Sequence, residues 1–197
     1  MRLLLLLLFV LTACTPKPAT TAAADSATAP AGVIDSILPI PLLLDRFRAG
    51  LTESQAFGGG FTTDRDTLVT RFVRALEAAD TVALDAMVLD RAEYAWLYYP
   101  AHIYARPPYE LAPATFWQLI QGNSTKGRAR LTQTLAGTAF VYRGMTCTAS
   151  TNVQPPLTEV NCRLKLVVGG APTEGTYFGS IAERDGRFKF VSFANDF

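Results

Sequence analysis

The sequence predicts an α+β domain, with helices first and an antiparallel sheet closing the chain. Three observations carry that prediction. Leu68, Val69, Phe72, Val73 and Leu76 recur at spacings of three and four, the signature of a helix with one buried face. Asp185-Gly186 separates two β-type runs at 177–184 and 187–193, and that dipeptide suits the positive φ angles of a two-residue hairpin turn. Two further apolar runs, 140–148 and 160–167, pair almost end to end when Cys147 is set opposite Cys162, because the same register sets Val141 opposite Val168.

In chain order, "ILPIPLLLDRFRAGL" at 37–51 reads as a short apolar helix, with Pro41 at its start and Gly50 near its end. "FGGGF" at 57–61 reads as a flexible turn, since Gly58, Gly59 and Gly60 lack the spacing and the lysine of a phosphate loop. Residues 63–79 are the amphipathic helix, with Thr63 and Asp66 as a capping-box-like start. Asp80 caps a second, short helix through Leu84, Met87 and Val88. Tyr94, Trp96 and Tyr98 alternate, which predicts a short strand. Pro100, Pro107 and Pro108 punctuate the following loop. Pro113 opens a helical stretch through Phe116, Trp117, Leu119 and Ile120, and Asn123 or Ser124 caps a separate helix to Leu135. Beyond Phe140 the pattern alternates, with Val160, Cys162, Leu164 and Leu166 on one strand face and Asn161, Arg163 and Lys165 on the other.

The first fourteen residues have another character. Residues 3–11 are all apolar. As a helix they would span roughly 14 Å, against about 30 Å for a hydrocarbon core, so they are too short to cross. Arg2 precedes them and the small residues Thr12 and Ala13 follow, which is the layout of a secretory signal at 1–13. Leu11-Thr12-Ala13-Cys14 resembles the lipobox of bacterial lipoproteins. The resemblance implies cleavage before Cys14 and a diacylglycerol on its thiol. A protein so modified is membrane-anchored on the periplasmic side, and two or three acyl chains make the anchor durable, at about 0.8 kcal/mol per buried methylene. Thr15 stands where that family's inner-membrane retention signal has Asp, so the outer membrane is the expected destination. Residues 14–36 are rich in Ala, Thr and Pro and are expected to form a disordered tether with a reach of roughly 25 Å. A single domain then occupies 37–197.

The chain has 18 basic and 17 acidic residues; loss of Arg2 with the signal would leave equal numbers. A neutral domain without a polybasic run excludes nucleic acid as an expected partner. With one histidine and no close-spaced ligand set, no metal or other cofactor is expected. Cys147 and Cys162 are an even pair in a chain bound for an oxidising compartment, and a disulfide between them is expected.

"LVTRFVRALEAADTVALDAMV" at 68–88 and "GSIAERDGRFKFVSFANDF" at 179–197 together resemble the nuclear-transport-factor-two-like superfamily and its SnoaL-like members. The resemblance spans 63–197 and implies helices wrapped on a curved antiparallel sheet, cone-like and with an internal cavity. The aromatic, proline-rich stretch 94–126 departs from that pattern and bears on the cavity's shape. Enzymes of that superfamily place an acid or base inside the cone, but their catalytic positions do not map onto residues here, so no catalytic residue is assigned.

The densest side-chain constellation is aromatic: Tyr94, Trp96, Tyr98, His102, Tyr104 and Trp117 form the candidate ligand pocket. The competing reading is plain core packing, with His102 satisfied in a loop. Asp90, Arg91 and Glu93 read as a solvated helix end, and Lys126, Arg128 and Arg130 as a solvated basic helix start. The functional expectation is a cell-envelope lipoprotein that binds a small apolar ligand or an envelope protein without catalysis. A SnoaL-like enzyme performing acid–base chemistry is the first alternative, and a structural module that self-associates as a homodimer is the second.

Overall fold

The computed structural model describes residues 38–197, so the expected signal, Cys14 and the tether lie outside the described residues. Helix α1 (Ile40–Arg48) starts with a proline in its first turn and gives way to Gly50 at φ +79°. Helix α2 (Arg65–Glu77) is capped by Asp64, whose carboxylate accepts from the Thr67 amide at 2.8 Å. The cap therefore falls one residue beyond the expected Thr63, because Asp64 has the extended backbone a cap needs. Asp66 is engaged elsewhere and accepts from the Tyr142 hydroxyl at 2.6 Å. Helix α3 (Thr81–Ala86) is capped by Asp80 through the Ala83 amide, as expected.

Two sequence expectations for the helices are corrected. Tyr94, Trp96 and Tyr98 are not in a strand. Asp90 and Glu93 form a reciprocal capping box that opens helix α4 (Arg91–Glu93), which continues into a π-helical turn over Tyr94–Tyr98. Tyr94, Ala95, Leu97, Tyr98 and Tyr99 are all buried and only Trp96 is half-exposed, so burial on nearly every side hides the helical period. The second correction is that Pro113 and Leu135 bound one helix, α5 (Pro113–Leu135), with Asn123 and Ser124 in its interior. Gly122, Asn123 and Ser124 are weak helix formers, so tertiary packing holds this segment. At Gly127 an added Cβ would lie 2.5 Å from the Ala194 carbonyl oxygen, so glycine lets the chain's last residues pack directly on the helix.

Strands β1 (Phe140–Ala149), β2 (Thr158–Val168), β3 (Ala171–Gly175), β4 (Ile181–Arg184) and β5 (Arg187–Phe190) form an antiparallel sheet in the order β1-β2-β4-β5, with β3 also on β2. The β4–β5 turn is Asp185-Gly186, with φ +53° and +72°, the left-handed pair of the expected hairpin. Cys147 pairs with Cys162 as anticipated, but Val141 pairs with Val167, and Phe140 takes Val168. A one-residue irregularity between Tyr142 and Gly144 causes the shift, with Arg143 as the extra residue. Such a bulge on an edge strand, carrying an exposed arginine, also discourages edge-to-edge pairing.

Cys147 and Cys162 are joined by a disulfide, with Cα atoms 4.1 Å apart. The bridge spans a sequence separation of 15, and a loop of that size constrains the unfolded chain by about 3 kcal/mol. Cys147→Ser combined with Cys162→Ser is expected to lower unfolding stability by about that amount in a denaturant titration. A loss under about 1 kcal/mol would show that the bridge merely decorates the register.

One face of the sheet carries a core from β1 to β5; the other is covered at its β4–β5 end, while Asn161, Arg163 and Lys165 of β2 stay exposed. One core joins Leu68, Phe72 and Leu76 of α2 to Cys162, Leu164 and Phe190 of the sheet. The other joins Phe47 of α1, Tyr94 and Tyr98 of the π-turn, and Ile120 of α5 to Ala182 and Val191. Strand alternation sorts the residues: Ile181 and Phe190 belong to the first core, and their neighbours Ala182 and Lys189 face the second side. The aromatic, proline-rich stretch 94–126 thus supplies much of the second core.

Candidate functional site

Of the predicted aromatic residues, Tyr94, Tyr98, His102, Tyr104 and Trp117 pack ring on ring, whereas Trp96 meets the Arg48 guanidinium instead. Tyr94, Tyr98 and His102 are buried; Trp96, Tyr104 and Trp117 are half-buried. The Tyr94 ring lies 5.0 Å from Trp117 and 5.6 Å from Phe47, and the His102 ring lies 4.6 Å from Phe116 (centroid distances). The hydroxyl of each buried tyrosine in this cluster finds an acceptor. Tyr94 donates to the Pro113 carbonyl at 2.8 Å, Tyr99 to that of Leu111 at 2.8 Å, and Tyr98 to Glu159 Oε1 at 3.0 Å. Desolvation drives the Tyr94 and Tyr98 hydroxyls well above the ordinary phenol range, and Glu159 beside Tyr98 adds to its shift. Burial raises Tyr99 to about 12. These hydroxyls therefore act as neutral donors.

His102 caps a short turn: its Nδ1 accepts from the Tyr104 amide at 3.2 Å, which leaves the proton on Nε2. Burial first, and the Arg106 charge second, lower its pKa to about 4. At neutral pH it is an uncharged ring packed at a tilt against Tyr98, Tyr104 and Phe116. Trp96 lies under the Arg48 guanidinium at 3.9 Å, and its indole Nε1 has no hydrogen-bond partner among the described residues.

Beneath this cluster lies a polar row that the sequence reading missed. Glu159, Ala182 and Lys189 are neighbours across β2, β4 and β5 on the second face. Lys189 Nζ donates to Glu93 Oε1 at 3.1 Å and Oε2 at 2.8 Å, with both side chains almost fully buried, at 2% and 1% exposure. Glu93 also accepts from the Gly58 amide at 2.6 Å and the Asp90 amide at 2.8 Å. The expectation of a solvated helix end at Glu93 is thus corrected, because the capping geometry turns its carboxylate inward onto β5. Glu159 Oε1 accepts from Tyr98 and from the Ser180 hydroxyl, while its buried Oε2 has no partner among the described residues. One signal was available: Lys189 sits inside "RFKFV", where a charge interrupts an apolar strand.

The expected basic helix start is helix interior. Arg128 pairs with Asp85 of α3 at 2.9 Å, and Arg130 donates to the Asn195 carbonyl. Gly60 is more than a flexible turn residue. It sits at φ +81°, and a Cβ there would lie 2.0 Å from the Ala86 carbonyl oxygen, so only glycine lets this loop lie against the end of α3.

Open grooves lie away from the buried row. The one between α2 and α3 holds about 390 Å³, with Ala75, Ala78, Ala83 and Met87 among its lining and Arg71, Arg74 and Asp80 as its charged residues. A second, of about 280 Å³, runs between α3 and α5, and Trp117 reaches it together with Asp85, Asp90 and Arg128. A third, of about 270 Å³, lies between α1 and the start of α5. Among the described residues there is no group of three or more His, Cys, Asp or Glu side chains able to hold a metal ion, and no helix long and apolar enough to cross a membrane.

Fold and site together define the class: an α+β protein whose antiparallel sheet is packed along one face and at the β4–β5 end of the other, and whose surface bears open grooves. Compared with known proteins, the chain matches no family model, no curated protein and no solved structure.

Proposed function

We propose that this chain is a cell-envelope lipoprotein, anchored through Cys14, whose α+β domain binds a small, largely apolar ligand and catalyses no reaction. The anchor reading is supported by the lipobox-like Leu11-Thr12-Ala13-Cys14 and the Ala/Thr/Pro stretch that follows it. The disulfide suits the oxidising compartment that such an anchor implies.

The observation that carries the binding reading is the α2–α3 groove. Its volume of about 390 Å³ is in the range of small-molecule sites, and alanines and Met87 make an apolar floor. Arg71 and Arg74 outnumber Asp80, whose carboxylate already caps α3, so the rim suits a ligand with an acidic end. The aromatic cluster is closed ring against ring, so it serves as the rigid wall behind the sheet in this reading. Against catalysis stands the pairing of the buried titratable groups. Glu93 closes on Lys189, Glu159 Oε1 on Tyr98 and Ser180, and His102 Nδ1 on a backbone amide, so most of their polar atoms are engaged within the protein.

A SnoaL-like relationship is supported by the α2–α3 start, the Asp185-Gly186 hairpin and the helix-then-sheet order. Against a hollow cone weigh the Phe72, Phe178, Phe190 and Phe193 rings, packed with centroids 4.4–6.2 Å apart.

Two measurements on protein purified from membranes test the two halves of this proposal. Intact mass of the mature terminus should give a chain starting at Cys14 with a diacylglyceryl group; an unmodified Cys14 sinks the anchor. Titration with dodecanoate should show saturable binding that Ala78→Trp, which fills the groove from an exposed position, weakens at least about tenfold. No binding, or binding indifferent to that substitution, sinks the groove.

A further inference from the structure

The third groove lies where α1 meets the first turn of α5, and its chemistry differs from that of the other two. It is lined by Leu43 and Phe47 of α1 and by Ala112, Pro113 and Ala114, with Arg46 and Arg91 as its charged residues and no carboxylate. Arg91 is held in place by Phe47, its guanidinium 4.6 Å from the ring centre. One turn before Arg46 stands Leu42, an apolar side chain 42% exposed on a nine-residue helix. The nearby acid on the helix, Asp45, lies about 100° from Arg46 and about 60° from Leu42 around the helix axis, at the edge of this face and outside the groove lining. The result is a face of exposed leucine, apolar groove and two arginines.

We propose that this face is where the domain rests on an anionic phospholipid surface, an inference that rests on the lipid-anchor reading above. Such a surface offers what the face lacks: phosphates for the arginines and an apolar boundary a few ångströms deeper for Leu42 and Leu43. Arginine suits this task because its planar fork grips phosphate oxygens in pairs. The position of α1 along the chain favours the same occupant. It is the first described element after a stretch whose composition gives a reach of roughly 25 Å from Cys14. A site tethered that closely meets headgroups at an effective concentration near the millimolar range, so a weak intrinsic affinity suffices. A soluble acidic peptide would gain nothing from the tether.

The test removes the anchor and keeps the face. Both cores lie within the described residues, so a chain starting at residue 14 and carrying Cys14→Ser retains the whole fold. It is titrated with vesicles of phosphatidylcholine containing about one-third phosphatidylglycerol, and with pure phosphatidylcholine, at low and at physiological salt. Binding is expected on the anionic vesicles only, declining as salt rises. Arg46→Gln combined with Arg91→Gln should weaken it about tenfold or more, whereas Arg143→Gln, an exposed arginine on the edge strand, should leave it unchanged. Arg46→Gln alone guards against a folding defect and should give a smaller loss in the same direction. No preference for anionic vesicles overturns the proposal, and so does an Arg143→Gln effect as large as that of Arg46→Gln. Because this chain carries no lipid, the result is independent of whether Cys14 is acylated, which the mass of the native terminus reads separately.

Discussion

Lys189→Met is expected to lower unfolding stability by about 3–5 kcal/mol, which for a chain of this size is a fall in Tm on the order of 10 °C. The substitution keeps most of the side chain's volume and removes its charge. What it leaves behind is Glu93, almost wholly out of water, with the Gly58 and Asp90 amides as its remaining partners. The cost arises from that stranded carboxylate more than from the lost attraction, because a buried pair repays its own desolvation only in part. Lys189→Met combined with Glu93→Gln should therefore be more stable than Lys189→Met alone. Chemical denaturation of the wild type, the single and the double variant gives the comparison. A single variant within about 1 kcal/mol of wild type would mean that water reaches the pair and that the second face is looser than its burial indicates.

On the opposite face, Phe72→Ala is expected to cost about 3–5 kcal/mol. The Phe72 ring is fully buried and meets Phe178, Phe190 and Phe193 at centroid distances of 6.0, 5.6 and 5.9 Å. Removing it opens a cavity bounded by α2, β5 and the closing segment, none of which can collapse without breaking strand pairing. Phe72→Leu should recover part of the loss, since it returns most of the apolar surface without the ring contacts. Equal losses for the two variants would show that specific ring packing, and not volume, sets the stability of this core.

These two residues differ in how far the sequence announced them. Phe72 sits at the centre of a regular three-and-four spacing, and a helix with one apolar stripe buries that stripe whatever the rest of the chain does. Lys189 stands in "RFKFV" and Glu93 in "DRAEY", and each alone reads as an ordinary surface charge. Their meeting spans 96 residues of chain and needs both the capping box at Asp90 and the strand alternation at Phe190. A local pattern cannot encode a partner so distant.

The aromatic stretch makes the same point about periodicity. Tyr94, Trp96 and Tyr98 alternate as a strand would, yet the segment is a π-turn buried on nearly all sides. Period reveals structure only where one face meets water. Likewise, the weak helix formers Gly122, Asn123 and Ser124 read as a break in α5, although Gly127 is the position where the chain's last residues press against a continuous helix.

The sequence alone determined the α+β order, the cap at Asp80, the 185–186 hairpin turn and the Cys147–Cys162 pairing. All of these follow from short-range geometry or from a register that apolar alternation fixes. Tertiary structure decided the rest: the bulge at Arg143, the second core behind the sheet, the Glu93–Lys189 pair and the placing of the grooves. Each of those depends on which surfaces come together, and burial is a property of the folded chain as a whole.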